Sequence, residues 1–172
     1  MSTATEQGPM KLEDAKAIAD DVVAQLAPHC ERIQIAGSIR RKRPTVNDIE
    51  IVIIPKPYFV GMFASGIATV IDQWPKIIGE LPCLHTQRLL PSGPRCDLFI
   101  ATELNWGMIL ALRTGSKEFS HKVLACGWVA HGYKSANGIL SRADGSSVYI
   151  REEEDLFHLL GLLWVPPENR EV

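Results

Sequence analysis

The apolar run around Asp48 and Glu50 is the feature that most restricts how this chain can fold. Alternate residues of a strand point to the same face, so these two carboxylates share one face. The isoleucines between and after them, up to Ile53, share the other face and can enter a core. Because adjacent acids repel each other and are costly to bury, the pair calls for a neutralising cation. The sequence therefore predicts a strand over 47–54 with a charged and an apolar face.

A third acid lies in a second strand-like run. Asp97 is the one carboxylate in 95–100, and the turn residues of 91–94 separate this run from the run 84–90. If that hairpin lies beside the Asp48 strand, three carboxylates meet. Such hard oxygen ligands suit Mg²⁺ or Mn²⁺, and three acids can hold two ions about 3.5–4 Å apart. The alternative is that the acids simply face solvent.

A glycine turn and a basic run come before the acid pair. Gly37 and Ser38 follow a predicted strand over 32–36, and the backbone N–H groups of such a turn can bind phosphate oxygens. The run that follows is Arg40, Arg41, Lys42 and Arg43; its alternative interpretation is a solvated turn. Divalent ions, a phosphate-binding turn and arginines together indicate a nucleotidyl-transfer site.

The remaining pattern predicts an α+β chain with two lobes. An amphipathic helix over 11–27 ends at a proline, and a second helix is expected over 58–74. After Asp97 the pattern predicts helices over 105–112, 116–131 and 152–160, and a hairpin formed by 138–142 and 147–150. We therefore expect one α/β lobe over 1–103 and a smaller helix-and-hairpin lobe over 104–172.

Composition and charge restrict where the protein can be located and how strongly it can bind DNA. The 172 residues carry a net charge of −2, and no apolar run approaches the roughly 20 residues that span a bilayer. With no signal-like N-terminus and four scattered cysteines, we expect an intracellular protein with reduced thiols. Because positive charge occurs only in local clusters, we expect weak and steeply salt-dependent binding to DNA.

Two sets of motifs resemble a known family. The pattern Gly-Ser-x-Arg-Arg, then Asp-Ile-Glu, then the strand acid Asp97 resembles the nucleotidyltransferase superfamily typified by DNA polymerase beta. The segment 113–120, with its Thr-Gly-Ser turn, and the ending 159–170, with Pro-Pro-Glu-Asn-Arg, narrow the resemblance to X-family DNA polymerases. The resemblance covers about residues 30–172.

This resemblance implies a fold, an activity and a set of site residues. The fold is a nucleotidyltransferase palm, a mixed β-sheet flanked by helices, with a smaller C-terminal subdomain that closes over the nascent base pair. The activity is DNA-directed addition of dNMP to a primer 3′-hydroxyl, in short-gap repair, with two Mg²⁺ ions or Mn²⁺, on gapped or primed DNA, by a monomer. The implied catalytic and metal-binding residues are Asp48, Glu50 and Asp97; the nucleotide-binding residues are Gly37, Ser38, Arg41, Arg113, Thr114, Gly115, Ser116 and Lys117; the DNA-binding residues are Arg40, Lys42, Arg43, Arg95 and Lys122.

The chain also departs from the family pattern. Glu50 stands where the family usually has aspartate, which shifts a carboxylate by one methylene. Leu112 and Arg113 replace an aromatic pair that screens out ribose, so we expect poor discrimination against ribonucleotides. The 36 residues before Gly37 are too few for the N-terminal modules of larger members, so we expect a minimal form without lyase activity, like those of viruses and phages.

Two other functions are compatible with the sequence. One is a template-independent nucleotidyltransferase acting on RNA, protein or a small molecule, which the acidic composition favours slightly. The other is an inactive DNA- or nucleotide-binding module, in which Glu50 has disabled metal binding. Retention of all three acids argues against the second.

Overall fold

The computed structural model of the chain describes residues 8–57 and 66–172. The strands are β1 (Met10–Lys11), β2 (Cys30–Ile35), β3 (Thr45–Val46), β4 (Ile49–Pro55), β5 (Lys76–Ile78), β6 (His85–Leu89), β7 (Arg95–Ile100), β8 (Lys134–Ala136), β9 (Ile139–Ser141) and β10 (Ser147–Val148). The helices are α1 (Leu12–Leu26), α2 (Gly37–Arg40), α3 (Ala68–Ile71), α4 (Trp106–Thr114), α5 (Lys117–Phe119), α6 (Cys126–Ala130) and α7 (Glu153–Leu159).

A five-stranded mixed sheet forms the centre of the N-terminal half. Its strand order is β2-β4-β7-β6-β5, in which β4 and β7 run parallel and the other neighbours are antiparallel. The predicted hairpin of 84–90 with 95–100 is thus confirmed as β6 and β7, and β7 lies directly beside β4. The prediction of an α+β fold with a mixed sheet flanked by helices is confirmed.

Both faces of β4 are covered, and the coverage is uneven. Ile49, Ile51 and Ile53 are fully buried and belong to the same core cluster as the inner face of α1. On the opposite face Val52 and Ile54 pack with α4. That second face is also the face of the acid pair, since even-numbered residues share it. Glu50 therefore lies where the apolar cover of α4 stops.

The C-terminal half has a hydrophobic cluster of its own. Met108, Phe119, Leu124, Trp128 and Phe157 are among its buried members. A three-stranded antiparallel sheet, β10-β9-β8, borders this cluster. The predicted hairpin is confirmed as β9 with β10, and β8 is a strand that the sequence analysis did not predict.

The predicted helices differ from the observed ones in detail. The helix expected over 11–27 is confirmed as α1, which a 3₁₀ turn at Ala27–His29 follows. The helix expected over 116–131 is divided, because a π-helical stretch at Ser120–Ala125 separates α5 from α6. Of the helix expected over 58–74, the described part contains α3, and 58–65 lie outside the described residues.

Two further expectations concern the whole described chain. All four cysteines are free thiols, as predicted. Within the residues that the structure describes, no helix combines the length and apolar character needed to cross a membrane.

Candidate active site

Three acids lie together at one end of the central sheet. Glu50 of β4 is the register partner of Asp97 of β7, so the two side chains stand side by side on one face. Asp48 immediately precedes β4 and is two residues from Glu50, on the same face. Asp97 is only 7% exposed, whereas Asp48 and Glu50 are half-buried. The strand pairing thus places the three predicted carboxylates at the same end and on the same face of the sheet.

Electrostatic repulsion links the three acids. Burial, followed by the charges of Asp48 and Asp97, raises the pKa of Glu50 to about 7. Burial and then the charge of Asp97 also raise the pKa of Asp48. Arg41 and Arg113 act in the opposite direction on the pKa of Glu50 without cancelling the rise. Burial is thus the largest cause of the raised pKa values, and the repulsion among the acids adds to it.

The chemical type of the three side chains is that of ligands for a divalent cation. All three groups are carboxylates, the hard oxygen donors that Mg²⁺ and Mn²⁺ prefer, and a cation would relieve their repulsion. In residues 8–57 and 66–172, no three His, Cys, Asp or Glu side chains are close enough together to form a metal-binding group. The donor set fits such ions, and binding them would require the carboxylates to move closer together.

Gly37 is required by the position of Glu50. A Cβ atom on Gly37 would lie 1.9 Å from Glu50 Oε2 and 2.7 Å from its carboxyl carbon, and the glycine has a φ of +59°. Only glycine combines that left-handed conformation with so close an approach. The Glu50 carboxylate therefore rests against the Gly37-Ser38 turn that the sequence assigned to phosphate binding. Ser38 is half-buried beside it, in the first turn of α2.

The basic run faces the C-terminal half of the chain. Arg40 donates to Glu153 at 2.7 and 3.0 Å and to the Thr114 hydroxyl at 2.7 Å. Arg41 donates to the Thr114 carbonyl at 2.8 Å. Each of the next two cations pairs with an acid near the C-terminus, Lys42 with Glu168 and Arg43 with Glu171. DNA contact by Arg40, Lys42 and Arg43 stays a prediction, and the structure gives these side chains a role between the lobes.

The Thr-Gly-Ser turn lies where α4 ends and α5 begins. Thr114 is buried against the basic run, and the Ser116 hydroxyl accepts a hydrogen bond from the Phe119 N–H at 3.1 Å. Ser116 is therefore the N-cap of α5. The Arg113 guanidinium carbon lies 4.1 Å from the centre of the Phe99 ring. Phe99 follows Asp97 by two residues in β7 and is on the same face of the sheet. Gly115 and Lys117 complete the turn, with Lys117 exposed.

The comparison with known families matches this half of the chain. Residues 109–171 match the family described as DNA polymerase beta thumb. The matched segment, which is less than half of the chain, is therefore similar to the thumb of an X-family DNA polymerase. At the level of the family, the match implies DNA binding. No curated protein shows a significant match to the chain.

Asp97 has partners that the sequence analysis missed. His85 Nε2 lies 2.6 Å from Asp97 Oδ1, and the Gln87 amide donates to both oxygens at 3.1 and 3.0 Å. His85 also stacks on Phe99, with ring centres 4.7 Å apart. The sequence signal for these partners is the alternation of side chains along β6. Once the hairpin register is known, it places residues 85 and 87 on the same face as Asp97.

A buried ion pair within the C-terminal segment 109–171 was also missed by the sequence analysis. Arg170 is fully buried, and its guanidinium donates to both oxygens of Glu153, which is 5% exposed. The sequence analysis placed Arg170 only within the C-terminal motif and Glu153 only within the helix predicted over 152–160. With Arg40 on the same carboxylate, one glutamate joins the C-terminal segment, α7 and the basic run.

The other residues predicted to contact DNA lie on the surface. Arg95 and Lys122 are both exposed, at the start of β7 and within the π-helical stretch. The charge of Arg95 opposes the rise in the pKa of Asp48, so its guanidinium is near the acid cluster. Lys122 lies within the segment 109–171 that matches the polymerase thumb family.

Proposed function

We propose that the chain is a DNA-directed DNA polymerase that adds single nucleotides to a primer 3′-hydroxyl in short gaps. The observation that carries the proposal is the pairing of Glu50 with Asp97 next to Asp48, directly against the Gly37-Ser38 turn. A site for phosphoryl transfer needs anionic metal ligands beside a phosphate-binding turn, and this pairing brings the two together. The similarity of residues 109–171 to a DNA polymerase beta thumb supports DNA as the partner.

The reaction would be attack of the primer 3′-oxygen on the α-phosphorus of a dNTP, with pyrophosphate as the leaving group. Asp48, Glu50 and Asp97 would hold two divalent ions, whose chemistry is to stabilise negative charge on the attacking and leaving oxygens. Asp97 would lie nearest the primer 3′-hydroxyl, where His85 and Gln87 fix the orientation of its carboxylate. Because the hydrogen bonds of Asp97 come from a neighbouring strand, the acid is positioned before substrate binds.

The remaining residues would bind and orient the nucleotide. Gly37, Ser38 and Arg41 would contact the β- and γ-phosphates, and Thr114 to Lys117 would lie along the sugar and base. Arg113 reaches from α4 to Phe99 on the palm sheet, so it would border the space between the two halves. Positioning and electrostatic stabilisation would account for most of the acceleration.

The test is primer extension on a one-nucleotide gapped duplex. Each dNTP is supplied singly with Mg²⁺ or Mn²⁺, to the wild type, to Asp97→Ala and to the matched control Asp14→Asn on exposed α1. We expect insertion dictated by the template base, abolished by Asp97→Ala and retained by the control. Addition of every dNTP regardless of template would favour the terminal-transferase alternative, and no addition with either metal would contradict the proposal.

A further inference from the structure

Two partners from the C-terminal half occupy the Arg41 guanidinium. Its Nε donates to Glu171 Oε1 at 2.7 Å, and its Nη1 donates to the Thr114 carbonyl at 2.8 Å. The Arg41 side chain is 14% exposed and that of Glu171 is 36% exposed. Arg43 adds a second cation at 3.7 Å from the same carboxylate oxygen. One carboxylate thus lies against two arginines of the basic run.

The two partners of Arg41 differ in kind. The Thr114 carbonyl is neutral and belongs to the buried end of α4, so it fixes the orientation of the guanidinium. Glu171 is an anion on a partly exposed segment. An arginine edge binds carboxylates and phosphates through the same N–H donors. A phosphate that uses the Nε edge of Arg41 must therefore replace Glu171, whereas the bond to Thr114 can remain.

The replacement of Glu171 by a phosphate at Arg41 would take place beside the acid cluster. The charge of Arg41 acts on Glu50, and Glu50 lies against Gly37 four residues before Arg41. A phosphate chain that runs from the Gly37-Ser38 turn toward the C-terminal segment would reach the Glu171 position. The Glu171 carboxylate supplies there the negative charge that a terminal phosphate would bring.

We propose that Glu171 is a determinant of nucleotide affinity, whose carboxylate occupies Arg41 until the triphosphate of a nucleotide displaces it. This inference rests on the proposed function. Among the described residues the Glu171 carboxylate pairs with Arg41 and Arg43 and with none of the three site acids, so it lowers the affinity for the nucleotide without taking part in the chemical step.

The experiment is calorimetric titration of the full chain with dATP in the presence of Ca²⁺. Glu171→Gln is expected to bind about threefold to fivefold more tightly than wild type, the range of a partly exposed ion pair. Glu168→Gln is the matched control, because it removes the same charge from the same segment but pairs with exposed Lys42 at 3.2 Å. Its affinity should equal that of wild type. In gap filling, Glu171→Gln should lower KM for the dNTP and leave kcat unchanged.

Three results would overturn the inference, and they separate it from the proposed function. Equal affinities of wild type and Glu171→Gln, with binding lost in Arg41→Leu, would remove the role of Glu171 and leave the nucleotide site intact. An equal gain in Glu168→Gln would show a general charge effect in place of a contact at Arg41. Absence of binding in every protein would contradict the nucleotide site itself, and the inference would fall with it.

Discussion

Glu50 and Glu153 are both largely shielded from water, but the charged groups nearest to them have opposite signs: acids beside Glu50 and arginines beside Glu153. Glu153 accepts hydrogen bonds from Arg40 and Arg170, and these partners lower its pKa against the opposing effect of burial. Glu50 stands beside two other acids, and its pKa rises to about 7. The first carboxylate stabilises the contact between the two halves of the molecule. The second destabilises the sheet around it and is ready for an added cation.

This difference shows where stability and function are separated in the molecule. The C-terminal segment, α7 and the basic run share one fully paired carboxylate, so their contact needs no ligand. At the acid cluster near the start of β4 the described residues leave the pKa of Glu50 raised, and our proposal is that bound metal ions would neutralise these acids. Variants of the two glutamates should therefore change different properties.

The largest expected effect is on stability, at Glu153. Replacement by leucine leaves Arg170, which is 0% exposed, as a buried unpaired cation. We expect Glu153→Leu to lower the free energy of unfolding by about 3–5 kcal/mol, the usual cost of breaking a buried pair. Urea denaturation followed by tryptophan fluorescence measures it. The control Glu168→Leu, whose partner Lys42 is exposed, should lose less than about 1 kcal/mol; equal losses would refute the comparison.

The next effect is on activity, at Glu50. Glu50→Gln keeps the shape but removes one of three mutually repelling charges, so the metal-free protein at pH 8 should gain on the order of 1 kcal/mol of unfolding free energy. Gap filling with Mg²⁺ should fall at least about a hundredfold, because loss of a ligand charge removes transition-state stabilisation of several kcal/mol. Denaturant unfolding in EDTA measures the change in unfolding free energy, and single-turnover primer extension measures the change in rate.

The matched control for this variant is Glu103→Gln on the exposed surface, which should leave both quantities unchanged. A Glu50→Gln protein that is less stable than wild type and still active would show that Glu50 is an ordinary structural residue.

Acid should weaken the pair at Glu153. Because its pKa in the folded protein is lowered, the stability it contributes is fully present above its ordinary value near 4.5. That contribution is lost as pH falls through the lowered value. The difference in unfolding free energy between wild type and Glu153→Leu should therefore shrink by more than about 1 kcal/mol from pH 7 to pH 3. Denaturant titrations at both pH values test this, and a constant difference would contradict it.

The acid cluster could be predicted from the sequence because strand alternation alone puts Asp48 and Glu50 on one face. The turn residues before Arg95 then indicate a hairpin that carries Asp97. The partners of Glu153 could not be predicted in this way. Arg40 is 113 positions away in the chain. Among the consecutive acids at the start of α7, only the packing phase of that helix selects Glu153 for burial.

The acid partners of the basic run could not be predicted either, for the same physical reason. A charge run in a turn indicates cations available to a ligand, and local patterns contain nothing about the acids that oppose them. Glu153, Glu168 and Glu171 all come from the far end of the chain and reach the run only in the folded protein. Binding of His85 and Gln87 to Asp97 likewise depends on the register of β6 against β7.

The smallest expected effect is at Arg32, which also joins the two halves but at the surface. Its guanidinium donates to Glu152 at 2.7 and 3.1 Å and lies 4.3 Å from the centre of the Trp106 ring, with 40% of the side chain exposed. Since solvent screens this pair, Arg32→Met should cost only about 0.5–1 kcal/mol of unfolding free energy. The cost should fall in 1 M NaCl, where screening is stronger. A loss as large as that of Glu153→Leu, or one independent of salt, would show that geometry and not burial sets the strength of these contacts.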